Sequence, residues 1–329
     1  MAGGSGMKVS EFMLNLAKKM MDERKIAEST ATQYLQTLFK LNGSKAFNNL
    51  AWTKKFDDVQ KVIDTYAVST QGNQYMVLAS ALSSFADKAT YKKAYEHWRD
   101  KMMESRKAKS AEPEHEKSEK QEENWLTWEE VNKKKSVLKE ETSSFVGTKH
   151  ITPAQFDKLL QYVVLSLYTD IPPRRNADFL EMYVVKKWNK DMDASKNYYD
   201  LSTHKFIFNK YKTAKTYGQQ VFDVPNTEEA PLQRVLADYL KFHPLAKGKG
   251  KEFKLLVKAD GSNLNTVNAI TRILNRVFGK KVGSSMLRHA YLSSKYGDAT
   301  KEMEAEATAM GHSTAVQKEY IKYEKAGEE

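Results

Sequence analysis

Across residues 9–106 apolar side chains recur at three- and four-residue steps, as in Phe12, Leu16 and Met20 and again in Tyr34, Leu35, Leu38 and Leu41, and then the recurrence stops. That period is the signature of amphipathic helices. Four or five of them are expected, with breaks at Asn42-Gly43-Ser44 and at Ser69-Thr70-Gln71-Gly72-Asn73 and an N-cap cluster at Glu28-Ser29-Thr30. Residues 105–123 are instead filled with Lys, Glu and Ser, including Glu112-Pro113-Glu114-His115-Glu116-Lys117. Such a stretch buries too little apolar surface to continue a core and reads as a tether. The expected division is therefore a helical domain over 7–105, a charged linker over 106–124 and a second domain over 125–329. Met1 to Gly6, a Gly/Ser run, reads as an added leader before a native start at Met7.

Beyond the linker the pattern is mixed. Thr152-Pro153 reads as an N-cap and first-turn proline opening a helix to Tyr168, with Phe156, Leu159, Leu160, Val163, Val164 and Leu167 inside. Residues 174–182 look helical. Strand-like runs at 199–201, 205–211 and 219–224 predict a small antiparallel sheet. Helices are expected over 231–242 and 265–278, and the tail over 283–323 reads as helical pieces broken near Gly297 and Gly311. The fold class expected is α+β and mainly helical: an all-α lobe plus a mixed α/β lobe.

Charge narrows the partners. The chain has 53 Lys+Arg against 42 Asp+Glu, a net charge of +11. The two expected domains carry +4 and +8 of it while the linker carries −1, the balance expected of two lobes gripping one polyanion. There is no cysteine, which excludes disulfides, iron–sulfur clusters and thiol nucleophiles and fits an intracellular protein. The seven histidines form no spaced pair with a carboxylate, so no metal or cofactor is expected. Mean hydropathy is −0.67 and no apolar run approaches the roughly 18–20 residues of a membrane span, so no membrane partner is expected. Lys247-Gly248-Lys249-Gly250-Lys251 lacks the frame of a phosphate-binding loop. What remains in the second domain is a set of Arg, Lys, His and Tyr suited to clamping a phosphodiester and attacking it.

Four stretches order that set: Pro172-Pro173-Arg174-Arg175-Asn176-Ala177-Asp178, Tyr211-Lys212-Thr213-Ala214-Lys215, Met286-Leu287-Arg288-His289, and Met310-Gly311-His312-Ser313 followed by Tyr320. In order and approximate spacing they resemble the tyrosine recombinase, or phage integrase-like, family over residues 150–323. The double-Pro, double-Arg form is similar to integrases of eukaryotic viruses and mobile elements. The resemblance implies a core-binding domain in the helical lobe, a catalytic domain in the second, and a C-clamp of the two on duplex DNA. It also implies self-association on DNA as a dimer or tetramer, and a location at DNA, in the nucleus or at a viral replication site.

The resemblance further implies roles. Tyr320 would be the nucleophile, with Tyr323 the alternate, forming a 3′-phosphotyrosyl intermediate that needs neither metal nor ATP. Arg175, three residues before Asp178, and Arg288 would clamp the scissile phosphate, with Arg174 the alternate to Arg175. His312 would donate to a phosphate oxygen, and Lys212, or Lys215, would protonate the leaving 5′ oxygen. Many relatives carry His or Lys three residues before the second arginine; here that position is Ser285, a departure, and His289 directly follows Arg288. Two other readings share these residues: DNA relaxation of the type IB topoisomerase kind, and a DNA-binding protein that keeps the fold without the chemistry.

Overall fold

The computed structural model describes residues 7–85, 88–110, 117, 119–248 and 250–322. The expected leader, Met1 to Gly6, and Tyr323 lie outside the described residues. The chain divides into two compact units, Met1–Glu116 and Lys117–Glu329.

The first unit contains α1 (Glu11–Arg24), α2 (Glu28–Leu41), a 3₁₀ turn (Ala51–Lys54), α3 (Phe56–Asp64), α4 (Val68–Ser83) and α5 (Ala89–Ser110). Ser10 caps α1 by accepting from the N–H of Met13 at 3.2 Å. Met13, Leu16, Met20, Leu38, Ile63, Leu78 and Trp98 form the core, and the buried Trp98 indole donates to the carbonyl of Thr53 at 2.9 Å. Two sequence expectations fail here. No break falls at 69–73, because α4 runs through it; Gly72 lies inside the helix beside Ser105 of α5, whose hydroxyl would have to turn away to admit a Cβ there. Ser29 and Thr30 are not caps: Ala27 holds the cap position of α2 without a side-chain bond.

The second unit opens with α6 (Glu119–Asn124), α7 (Trp128–Val146) and α8 (Pro153–Thr169). Helix thus occupies both ends of the stretch that reads as linker. Both longer helices start on capping boxes, Thr127 with Glu130 and Thr152 with Gln155. From Phe156 onward α8 is buried on nearly every side, which makes it the helix around which the unit packs. There follow α9 (Asn176–Leu180), β1 (Met182–Val185), β2 (Asn197–Asp200), β3 (Lys205–Phe208), α10 (Ala214–Tyr217) and β4 (Gln220–Asp223). The unit closes with α11 (Leu232–Phe242), β5 (Glu252–Lys254), α12 (Val267–Phe278), α13 (Ser284–Ala309) and α14 (Thr314–Tyr320).

The strands form one sheet in the order β4-β3-β2-β1-β5. It is mixed rather than antiparallel: β1 runs parallel to β2, and the other pairs are antiparallel. The parallel pair arises because the chain crosses over through residues 186–196 instead of turning in a hairpin. The expected helix over 174–182 is also shorter. It stops at Leu180, and the Met-Tyr-Val-Val run that follows pairs as β1. In the tail, α13 passes through Gly297 without a break and ends before Gly311, whose φ of 77° only glycine adopts readily.

Candidate active site

The approach to the site is set by Pro172 and Pro173, which end helical backbone after α8 and keep the chain extended into Arg175, at φ −79° and ψ 149°. Asn176 then fixes α9. It accepts from the Tyr168 hydroxyl at 2.6 Å and donates to the carbonyl of Val267 at 3.1 Å and to Thr271 Oγ1 at 2.9 Å. Two successive arginines leave this rigid corner with different fates.

Arg174 is held on every side. Its Nε donates to Asp178 Oδ2 at 3.1 Å and its Nη1 to Gln220 Oε1 at 2.9 Å. Its guanidinium carbon lies 3.8 Å from the centre of the Phe208 ring, a cation–π distance. The guanidinium of Arg175 makes no hydrogen bond or ion pair among the described residues, and Arg175 lines a cleft of about 310 Å³ together with Arg174, Arg288, Tyr211, Thr213 and Tyr217. Arg288 comes from the other end of the unit, on the second turn of α13. The buried Leu287 and Ala290 anchor that turn, Arg288 Nε donates to the carbonyl of Pro173 at 3.2 Å, and Arg288 Nη2 is buried without a partner.

Electrostatics follow from this crowding. Burial pushes the Arg288 guanidinium below its usual range, and neighbouring Arg175 adds to the effect. Burial likewise lowers Arg174 against the pull of Asp178, and it raises the Asp178 carboxyl against the pull of Arg174. Three guanidinium groups and one carboxylate leave the cleft strongly positive, with planar donors matched to non-bridging phosphate oxygens.

The other expected residues lie elsewhere. Lys212 and Lys215 are exposed on the β3–β4 connection and do not line the cleft, although their loop neighbours Tyr211, Thr213 and Tyr217 do. Ser285 and His289 are exposed on α13 and stand outside the cleft. His312 and Tyr320 pair with each other, ring centres 5.8 Å apart, and Tyr320 is 72% exposed. They are remote from Arg288, because α13 is unbroken from Ser284 to Ala309 and a rise of about 1.5 Å per residue sets Arg288 and Ala309 about 30 Å apart along the axis. Among the described residues no group of His, Asp and Glu could hold a metal ion, and no helix is long and apolar enough to cross a membrane.

Sequence reasoning missed Asn197 and Gln220. Asn197 is fully buried, and its side chain joins the carbonyls of Asp178 and Lys210 at 2.8 and 2.9 Å. A polar residue opening a four-residue strand gives no sequence signal of such a role. No family model matches the chain, and neither a curated protein nor a solved structure is detectably similar to it.

Proposed function

We propose that the protein cuts and rejoins duplex DNA as a tyrosine recombinase, through a 3′-phosphotyrosyl intermediate and without metal or ATP. The observation that carries this reading is the convergence of Arg175 and Arg288, from motifs far apart in sequence, on one cleft with a buried, unpartnered Arg288 nitrogen. Fixed planar cations in a partly desolvated cleft oppose the charge that grows on a pentacoordinate phosphorus. The Tyr320 oxygen attacks the phosphorus as its hydroxyl proton passes to solvent water, the bond to the 5′ oxygen breaks, and a lysine of the β3–β4 connection gives that oxygen its proton. A free 5′ hydroxyl later reverses the step, so the bond energy is conserved.

On this reading the two basic units close on the duplex as a clamp, mostly through phosphate contacts, and Tyr320 must come to a cleft. Two routes exist. The α13 segment from Leu292 to Glu306 is largely exposed and includes Gly297, where a helix bends at low cost; alternatively, self-association on DNA delivers the tail of a second copy.

The distance of Tyr320 from Arg288 also favours a second reading, a DNA-binding protein that keeps the arginine cleft for phosphate without cutting. Incubation with nicked duplex followed by SDS denaturation separates the two: a covalent protein–DNA adduct supports strand transfer, and its absence on duplex substrates supports binding alone.

A further inference from the structure

The connection between β3 and β4, residues 209–219, carries Lys210, Lys212 and Lys215, all exposed. A flexible ammonium on an exposed loop has no defined place, so a proton donor here depends on how the loop's two roots are held relative to the phosphate clamp. Both roots are tied to one residue, Asp178. At the first root, Asn197 Oδ1 accepts from the N–H groups of Asn209 and Lys210 at 2.9 and 2.8 Å, while its Nδ2 joins the carbonyls of Lys210 and Asp178. At the second, Gln220 Oε1 accepts from Arg174 at 2.9 Å, and Arg174 in turn donates to the Asp178 carboxylate.

Arg174 is therefore committed. Two of its donors are engaged and its plane rests on Phe208, whereas Arg175 keeps its donors for a ligand. We propose that Arg174, acting with Gln220, is a positioning residue: it latches the lysine-bearing loop to α9, so that the proton donor meets the leaving 5′ oxygen while Arg175 and Arg288 hold the phosphate. The inference rests on the strand-transfer reading above and assigns Arg174 a task different from that of its neighbour.

Two measurements on the full chain test it. The first is amide hydrogen exchange in Gln220→Ala and Arg174→Lys. The latch predicts exchange about tenfold faster over 209–219 with α8 and α12 unchanged; unchanged exchange in that loop overturns the proposal. The second compares duplexes whose scissile 5′ oxygen is intact or replaced by sulfur, a leaving group that needs no acid. Both variants should lose about tenfold in cleavage on oxygen and approach the wild-type rate on sulfur, whereas Arg175→Lys stays slow on both. Equal losses on oxygen and sulfur would place Arg174 and Gln220 in the clamp, and undiminished cleavage on oxygen would remove their role; either result overturns the proposal. A wild-type protein that forms no adduct on either duplex overturns the strand-transfer reading and the proton-donor role with it, and loop exchange then decides the latch alone.

Discussion

Arg288 donates from Nε to the main-chain carbonyl of Pro173 at 3.2 Å, across 115 residues of sequence. The bond fixes the guanidinium against the Pro172-Pro173 segment at the wall of the cleft that Arg288 lines. Arg288→Ala is expected to slow adduct formation on the order of 10²-fold, the usual loss of one preorganised charge-stabilising donor. Arg288→Lys is expected to rescue little, because a single ammonium does not span both the Pro173 carbonyl and a phosphate. Single-turnover cleavage measures both; a wild-type rate in either variant contradicts the role.

Asn197 makes four hydrogen bonds from a fully buried side chain, at 2.8, 2.9, 2.9 and 2.8 Å. Asn197→Ala orphans two carbonyls and two N–H groups, and the expected loss of stability is about 3 kcal/mol. Urea unfolding checks this.

His243 predicts a pH dependence. Its Nδ1 accepts from the N–H of Leu245 at 3.2 Å and its Nε2 faces the carbonyl of Leu255 at 3.2 Å, an arrangement that suits the neutral ring. Burial pushes its pKa down from 6.5 to about 4. Between those values the unfolded chain holds a proton that the folded chain refuses, so stability falls as pH drops through this window, by about 3 kcal/mol in all. Above pH 6.5 the residue contributes no slope. Unfolding of wild type against His243→Gln at pH 7, 6 and 5 should show the gap in slope, and parallel curves would contradict it.

What could be read from the sequence had local causes. Thr152-Pro153 announces α8 because cap, proline and apolar period sit together within one turn. The motif order likewise brought Arg175 and Arg288 to notice, and one cleft holds both. The failures had nonlocal causes. Gly72 looks like a turn but lies inside α4, beside Ser105 of α5, and the residues of β1 have the apolar character of a helix end until β2 and β5 pair with them. Spacing to Asp178 ranks Arg175 before Arg174, but the contacts that engage Arg174 come from Phe208 and Gln220, which no local pattern announces. Spacing also says nothing about an unbroken α13 of 26 residues, which separates Arg288 near its start from the turn that carries His312.

Duplex binding should weaken linearly in log affinity against log salt, with a slope set by the number of phosphates neutralised by the two basic domains. Fluorescence anisotropy across a salt series measures the slope, and a flat response contradicts a DNA-binding role.

The most direct measurement concerns Tyr320. Tyr320→Phe removes one exposed hydroxyl from a 72% exposed ring and leaves the fold and the arginine cleft unchanged. Wild type and variant are each incubated with nicked duplex, denatured in SDS, and any DNA-linked peptide is mapped by mass. The account predicts an adduct on Tyr320 in wild type, none in the variant, and equal duplex affinity for both; an adduct that persists in Tyr320→Phe, or one mapped to Tyr323, would contradict it.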